Sequence, residues 1–296
     1  MMSPTPESWL SGHLPRQSVH AERLCLVGAM QTHPGPDAVL NEDVAAYVLP
    51  HPDEPFARSG ALALVADGMG GHAAGEVASR LAADIIRGRY YDLAGTVPEV
   101  LAACLEAANR TIYQRGRSDP RYANMGTTCT VIAVRDDRVY LGHVGDSRAY
   151  ILHDGRLRQI SQDHSVVAEL VRKGTITASE AMQSPYRNLV VRALGIGPTV
   201  EPLIWTEGLP LHAGDVIVLC SDGLSDLLED DVIAQSVERL APLPACRELI
   251  AAALEKGGKD NISVGVFAVH ERSALSRPPE QPTRMIAVEW PAGVPK

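Results

Sequence analysis

The chain predicts an α+β fold of antiparallel strands and paired helices. Three observations predict it. Short apolar runs of strand length occur in blocks, and several are joined by connections too short for anything but antiparallel pairing. Two neighbouring stretches carry a helical apolar period, and two more lie near the end of the chain. Strands and helices therefore do not alternate as they would in a doubly wound parallel sheet.

Glu22 to Met30 and Ala45 to Leu49 read as the first strands, and Ala61 to Ala66 as a fully apolar one that ends at Asp67-Gly68-Met69-Gly70-Gly71. A helix follows, with Val77, Leu81 and Ile85 on its expected apolar face and Arg80, Asp84 and Arg87 elsewhere. A second helix spans about Pro98 to Arg115. Its stripe is Leu101, Leu105, Ala108 and Ile112, with Pro98 in the first turn. The period then shortens. Thr127 to Val134, Arg138 to Val144, Arg148 to Leu152 and Leu157 to Ile160 read as strands, separated by turns at Asp136-Asp137, Gly145-Asp146 and Asp154-Gly155. His164 to about Thr199 is a mixed helical and loop region. Val216 to Cys220 is a buried strand ending at Ser221-Asp222-Gly223. Helices near Asp231 to Leu240 and Ala245 to Lys256 follow, and Ile262 to Val269 is the last long strand.

Residues 1–20 read as a flexible leader punctuated by Pro4, Pro6, Gly12 and Pro15, and residues 271–296 as a Pro-rich tail. Within that tail Met285-Ile286-Ala287-Val288 is a candidate edge strand. One globular region, 21–270, lies between.

The chain has 296 residues, 36 acidic against 27 basic, and a net charge of −9. That balance excludes a general nucleic-acid binder, which needs a basic face, and a chain that docks on anionic lipid. No apolar run approaches the roughly 20 residues of a membrane span. The first twenty residues hold no apolar signal core. The five cysteines, Cys25, Cys104, Cys129, Cys220 and Cys246, form no C-x-x-C pair, so free thiols in a reducing cytoplasm are expected. With only Phe56 and Phe267 as phenylalanines, the core is expected to be aliphatic.

The informative recurrence is a carboxylate at strand ends. Asp67-Gly68, Asp146-Ser147 and Asp222-Gly223 each follow an apolar strand, while Asn41-Glu42-Asp43 and Asp260-Asn261 each precede one. Carboxylates gathered at one rim of a sheet cannot all remain ionised without a counter-charge. An oxygen-only set suits magnesium or manganese better than zinc. Asp-Gly is also a common turn, and from spacing alone both readings stand. Asp136, Asp137, Asp154 and Asp215 read as turn residues.

These motifs carry a resemblance. Asn41-Glu42-Asp43, Val65-Ala66-Asp67-Gly68-Met69-Gly70-Gly71-His72 and Gly126-Thr127-Thr128 come first. Gly142-His143-Val144-Gly145-Asp146-Ser147-Arg148-Ala149-Tyr150, Asp163-His164-Ser165, Ser221-Asp222-Gly223-Leu224 and Asp260-Asn261 follow. In that order, over about residues 20–270, they resemble the bacterial form of the metal-dependent type 2C (PPM) serine/threonine protein phosphatases. The resemblance implies a four-layer αββα sandwich, two central antiparallel sheets flanked by helix pairs. It implies two Mn²⁺ or Mg²⁺ ions, with Asp67 bridging both, Asp222 and Asp260 on the first, and Glu42 or Asp43 with the Gly68 carbonyl on the second. Asp146 with Asp222 could hold a third, and Asn261 would hydrogen bond from the outer shell. A hydroxide formed between the two ions would attack phosphorus in line, so no protein nucleophile is implied. Phosphoproteins are the implied substrates and a bacterial Ser/Thr kinase the implied opposing enzyme. The segment from Lys173 to Tyr186, with Gly174, Thr175 and Ser184, matches the family's mobile flap; a plain surface loop with a short helix is the alternative. Arg187 to Gly195 fits the stretch after that flap.

Two departures stand out. The family's phosphate-gripping Arg, three residues before the Asn of the first motif, is Ala38 here, with Arg23 or His33 as candidate substitutes. Weak affinity for small phosphomonoesters is expected. Met69 stands where eukaryotic members place a general-acid His, and His72, His143 and His164 read as structural. A catalytically weakened phosphoprotein-binding member is therefore the alternative to an active hydrolase. A metal-dependent nuclease is disfavoured by the acidic balance. An aspartyl-phosphate phosphatase would need an Asp-x-Asp that Asp67-Gly68-Met69 lacks.

Overall fold

Two antiparallel sheets lie face to face, each covered outside by a pair of helices, in a computed structural model that describes residues 24–37, 40–51, 57–69, 73–271 and 284–286. The leader, Phe56, Gly70, Gly71, His72 and most of the tail lie outside the described residues. The elements run β1 (Leu24–His33), β2 (Asp43–Val48), β3 (Ala61–Met69), α1 (Ala73–Asp92), α2 (Val97–Ser118), β4 (Gly126–Thr127), β5 (Cys129–Arg135) and β6 (Arg138–Val144). Then come β7 (Arg148–His153), β8 (Arg156–Gln159), α3 (Val166–Arg172), α4 (Ala178–Met182), β9 (Leu203–Ile204), β10 (Leu209–Pro210) and β11 (Val216–Cys220). The chain continues through α5 (Asp222–Ser225), α6 (Asp230–Arg239), α7 (Pro242–Glu255), β12 (Ile262–Glu271) and β13 (Arg284–Ile286).

The first sheet has the order β1-β12-β11-β7-β8 and the second β10-β6-β5-β3-β2-β13, with β4 on β3 and β9 on β6. Short apolar runs suit the central strands because both of their faces are buried. In β3, Leu62, Leu64 and Ala66 face the helices while Ala63 and Val65 face the other sheet. In β11, Val216, Val218 and Cys220 face α6 and α7 while Ile217 and Leu219 face inward. Three apolar layers result, so four layers of backbone stack as expected. The central layer is mainly aliphatic, with Phe267 edge-on to Tyr47 at 5.7 Å between centroids.

The expected α2 stripe is buried, and a capping box of Thr96 and Glu99 starts the helix. The expected α1 stripe is not the buried one. Ala74, Ala78, Ala82, Ala83 and Ile86 lie under the helix, while Val77, Leu81 and Ile85 flank it half-buried. Alanines let the helix axis sit close to the sheet, and the larger residues fill the two sides. Ala78→Leu, at 0% exposure, is therefore expected to cost about 1–3 kcal/mol by overpacking, readable as a lower urea midpoint at unchanged slope.

Asp136, Asp137 and Asp154 do occupy turns, with φ of 51°, 57° and 48°. Asp215 is different: it is 3% exposed and faces two histidines. Arg284–Ile286 pairs with β2 and covers that sheet edge. The strands at Leu203–Ile204 and Leu209–Pro210 carried no sequence period; Pro210 sits where its missing N–H is tolerated, on an edge. No disulfide joins the five cysteines, and four of them are buried.

Candidate active site

One rim of the sandwich collects the strand-end carboxylates from both sheets. Asp43 opens β2 and Asp67 lies near the end of β3, directly opposite each other in the ladder. Like charges facing across a strand pair are destabilising on their own. Asp222 starts α5 just after β11, and Asp260 lies two residues before β12, both strands belonging to the other sheet. Asp146 lies where the chain leaves β6 of the second sheet for β7 of the first.

Hydroxyls and amides fix these backbones. Asp43 Oδ2 accepts from Ser221 Oγ at 2.7 Å, and Ser221 Oγ accepts the Ser263 N–H at 3.0 Å. The Asp67 N–H donates to Thr128 Oγ1 at 3.0 Å, and Thr128 in turn contacts Ser147 Oγ at 2.8 Å. Asn261 joins three segments: its Oδ1 accepts the Glu42 N–H at 2.6 Å, and its Nδ2 donates to the carbonyls of Pro34 and Leu40. Asp260 itself is exposed at the mouth, its Oδ1 accepting the Asn261 N–H at 2.7 Å.

Gly68 and Gly75 bring β3, α1 and the Glu42 segment into contact. A Cβ on Gly68 would lie 2.2 Å from the Gly75 carbonyl oxygen and 2.6 Å from that of Glu42. A Cβ on Gly75 would meet Glu42 Oε1 at 2.7 Å and the Gly68 carbonyl oxygen at 2.8 Å. Gly→Ala inside a helix normally stabilises by about 1 kcal/mol. Gly75→Ala is expected to do the reverse, losing about 1–3 kcal/mol and displacing the Glu42 carboxylate. A thermal melt checks the sign.

Burial and mutual repulsion raise the carboxyl pKa values. Asp43 is pushed up to about 7 by burial and then by the charges of Asp222 and Asp260, despite its hydroxyl partners. Asp146 rises to about 8 through burial, Asp222 and Asp163. Asp222 rises to about 6, chiefly by burial, and Asp67 goes well above the carboxylate range through burial, Asp222 and Asp43. Asp43 Oδ1 and Asp222 Oδ1 are buried with no hydrogen-bond donor. Orphaned acceptors, oxygen-only donors and a Gly-lined cradle fit a hard divalent cation.

Two acidic neighbours belong to this rim and were not singled out as site residues. Asp226 lies one helical turn after Asp222; that i, i+4 spacing was the available signal. Its pKa is raised first by burial, and Arg187 opposes the rise from 3.8 Å. Asp163 takes both ends of the Arg148 guanidinium, at 2.8 and 3.2 Å, so Arg148 is committed to an ion pair and to the Tyr150 hydroxyl. His143 and His164 pack 4.9 Å apart, and burial lowers them to about 4 and about 3, so both are neutral supports. Ala38 and Arg23 lie outside the described residues. His33 does not offer a cationic clamp: burial lowers its pKa, and its Nδ1 accepts the Gly35 N–H at 2.9 Å.

Lys173, Gly174, Thr175 and Ser184 lie on an exposed excursion around α4. Lys173 pairs with Glu169, and Thr177 caps α4 with Glu180. The excursion's stem is tied to the rim: the Val191 N–H donates to the His164 carbonyl at 2.8 Å and Val166 N–H to that of Leu189 at 2.9 Å.

The two-sheet sandwich with its oxygen-only acidic rim has known relatives, and the chain belongs to the protein phosphatase 2C family. The protein phosphatase 2C family model matches residues 55–256. Serine/threonine protein phosphatase PstP of Mycobacterium tuberculosis is 42% identical over 218 residues, 73% of this chain and 42% of PstP. The chain thus spans under half the length of that relative. Serine/threonine phosphatase stp of Listeria monocytogenes is 34% identical over 209 residues, 69% of this chain and 82% of stp. The crystal structure of the M. tuberculosis phosphatase PstP/Ppp superposes with a TM-score of 0.73 at 38% identity, covering 83% of this chain and 99% of that one. The PstP catalytic domain in complex with two manganese ions gives 0.72 at 37% identity, covering 84% and 100%.

Proposed function

We propose that the chain is a protein serine/threonine phosphatase that hydrolyses phosphoserine and phosphothreonine in proteins. The observation that carries this is the convergence of Asp43, Asp67, Asp146, Asp222 and Asp260 from both sheets at one rim. Two Mn²⁺ or Mg²⁺ ions would be held there, Asp67 serving both. Asp222 and Asp260 would serve the first, and Glu42 or Asp43 with the Gly68 carbonyl the second; Asp146 with Asp222 offers a third position. Bound there, such ions lower the pKa of a water and neutralise charge on the phosphoryl oxygens.

The chain's own residues do the rest. Ser221 orients the Asp43 carboxylate, and Thr128 holds the Asp67 backbone. Asn261 sets the Glu42 segment against the start of β12. No side chain is needed as a covalent nucleophile. Arg148 is paired to Asp163 and His33 is neutral, so neither of these two supplies a free cationic clamp for phosphate. The exposed excursion carrying Lys173, Gly174, Thr175 and Ser184 would act as the flap that meets the phosphoprotein.

The domain limits we adopt are 1–20 for the leader, 21–270 for the phosphatase domain and 271–296 for the tail. The opposing enzyme would be a Ser/Thr kinase, and the compartment the cytoplasm, with no nucleic-acid partner. Among the described residues no helix is long and apolar enough to cross a membrane.

The test is phosphate release from a phosphothreonine peptide with Mn²⁺ and with chelator. Activity that survives chelation refutes the reading. The Ala38 departure favours a second one, a weakened member that binds phosphoproteins. Inactivity of the Mn²⁺-loaded chain on several phosphoproteins would select it.

A further inference from the structure

We propose a second metal site at the opposite end of the strands from the acidic rim, where His153, His212 and Asp215 would hold one borderline divalent cation of the zinc class. Asp215 immediately precedes β11, and His153 ends β7. The ladder pairs Leu152 with Val216, so one further step in the same register sets His153 against Asp215. His212 arrives from the loop between β10 and β11. Three residues from two separate segments thus meet at one point.

The geometry suits ligation. Asp215 Oδ1 lies 2.7 Å from His153 Nδ1, and its Oδ2 lies 3.8 Å from His212 Nδ1. One ligand atom from each residue falls within 4.8 Å of the other two. The two imidazole rings are 5.1 Å apart, tilted by 48°. Ligands about 2.0–2.1 Å from a tetrahedral Zn²⁺ stand about 3.3 Å apart, so the two observed separations bracket that value. Two imidazole nitrogens with one carboxylate oxygen select a borderline ion, whereas the oxygen-only rim selects a hard one.

The carboxylate is also pre-positioned. It belongs to a residue 3% exposed, and the His212 N–H donates to its Oδ2 at 2.8 Å. The Asp215 N–H donates to the His212 carbonyl at 3.1 Å, and the Asp215 carbonyl accepts the Val269 N–H at 2.8 Å. Among the described residues, the basic side chains within ion-pair distance of this carboxylate are the two imidazoles. The ion would take the place of the proton in the His153–Asp215 hydrogen bond. The imidazole proton then resides on His153 Nε2, which Asp154 Oδ2 faces at 3.5 Å, and any excess proton leaves to solvent. His212, with half its side chain exposed, can turn toward the ion, and the fourth position is open to water. Such an ion would clip the end of β7 to the loop before β11.

Cobalt substitution reads the site independently of phosphatase activity. Co²⁺ bound by imidazoles at low coordination number gives a strong visible band, while Co²⁺ among oxygens alone is nearly colourless. Chelator-stripped protein titrated with Co²⁺ is expected to develop that band, and Asp222→Asn to keep it. His212→Ala, whose exposed side chain makes folding safe, is expected to lose the band and to bind Zn²⁺ at least ten-fold more weakly by calorimetry, with unchanged phosphate release in Mn²⁺. His153→Ala gives a second arm, its fold checked by circular dichroism. Absence of the band in the wild-type chain overturns the proposal. So does a band, or a Zn²⁺ affinity, that His212→Ala leaves unchanged; the triad is then a hydrogen-bonded turn anchor.

Discussion

Asp222→Asn is expected to lower kcat for a phosphothreonine peptide by about 10³-fold, about 4 kcal/mol of transition-state stabilisation. Asp222 is the carboxylate whose charge reaches Asp43, Asp67 and Asp146, and its own Oδ1 is buried without a donor. The amide keeps the shape and removes the charge that would hold a cation. The same change removes a like charge from the rim once chelator has stripped any cation. In chelator, the variant is therefore expected to melt at or above the wild-type temperature. A variant that is both inactive and less stable in chelator would mean that Asp222 acts as a structural group. A variant with near-normal activity would remove it from the metal set.

The second large effect is the pH dependence of metal stabilisation. Asp43, Asp146 and Asp222 have folded-state pKa values of about 7, 8 and 6, all raised by burial first. For a raised acid, the protonated folded form contributes stability below those values. That contribution is lost as pH rises through them. A cation must displace these protons at low pH and meets none above the window. The gain in Tm from Mn²⁺ over chelator is thus expected to grow between pH 5.5 and pH 8. A difference of about 2 kcal/mol corresponds to roughly 4–8 °C for a domain of this size. Buried His143 and His164 carry the opposite sign, since their lowered pKa values cost stability as pH falls below the unfolded value. They stay neutral and buried in both metal states, so they cancel in the difference. A Mn²⁺ increment that is flat over this range would show that the cation does not displace those protons.

Much of the rim was legible because strand ends are loud in sequence. Asp67, Asp222 and Asp260 each abut an apolar run, and alternation within those runs fixes which layer every neighbour enters. Asp226 was quieter. Its only mark is a four-residue step from Asp222, visible once a short helix is known to begin there. The buried stripe of α1 was misread for a related reason. Val77, Leu81 and Ile85 are the most apolar residues at helical spacing, yet a tight approach to the sheet selects alanines. Hydropathy ranks side chains by transfer energy; distance between layers ranks them by size. Asp215 could not be distinguished from the turn residues Asp136 and Asp154, because His153 is 62 residues away and is set against it by strand register, while His212, three residues before it, belongs to no periodic pattern.

The position of Asp146 has a mechanical consequence. The chain passes there from one sheet to the other, between β6 and β7, while Asp43 and Asp67 belong to the second sheet and Asp222 and Asp260 flank strands of the first. The sheets adhere through a buried, mainly aliphatic filling at mid-height and repel at this edge. Cations seated here would act as rivets between two plates. Their departure would register first as faster amide exchange along the ends of β3, β11 and β12, well before any global unfolding.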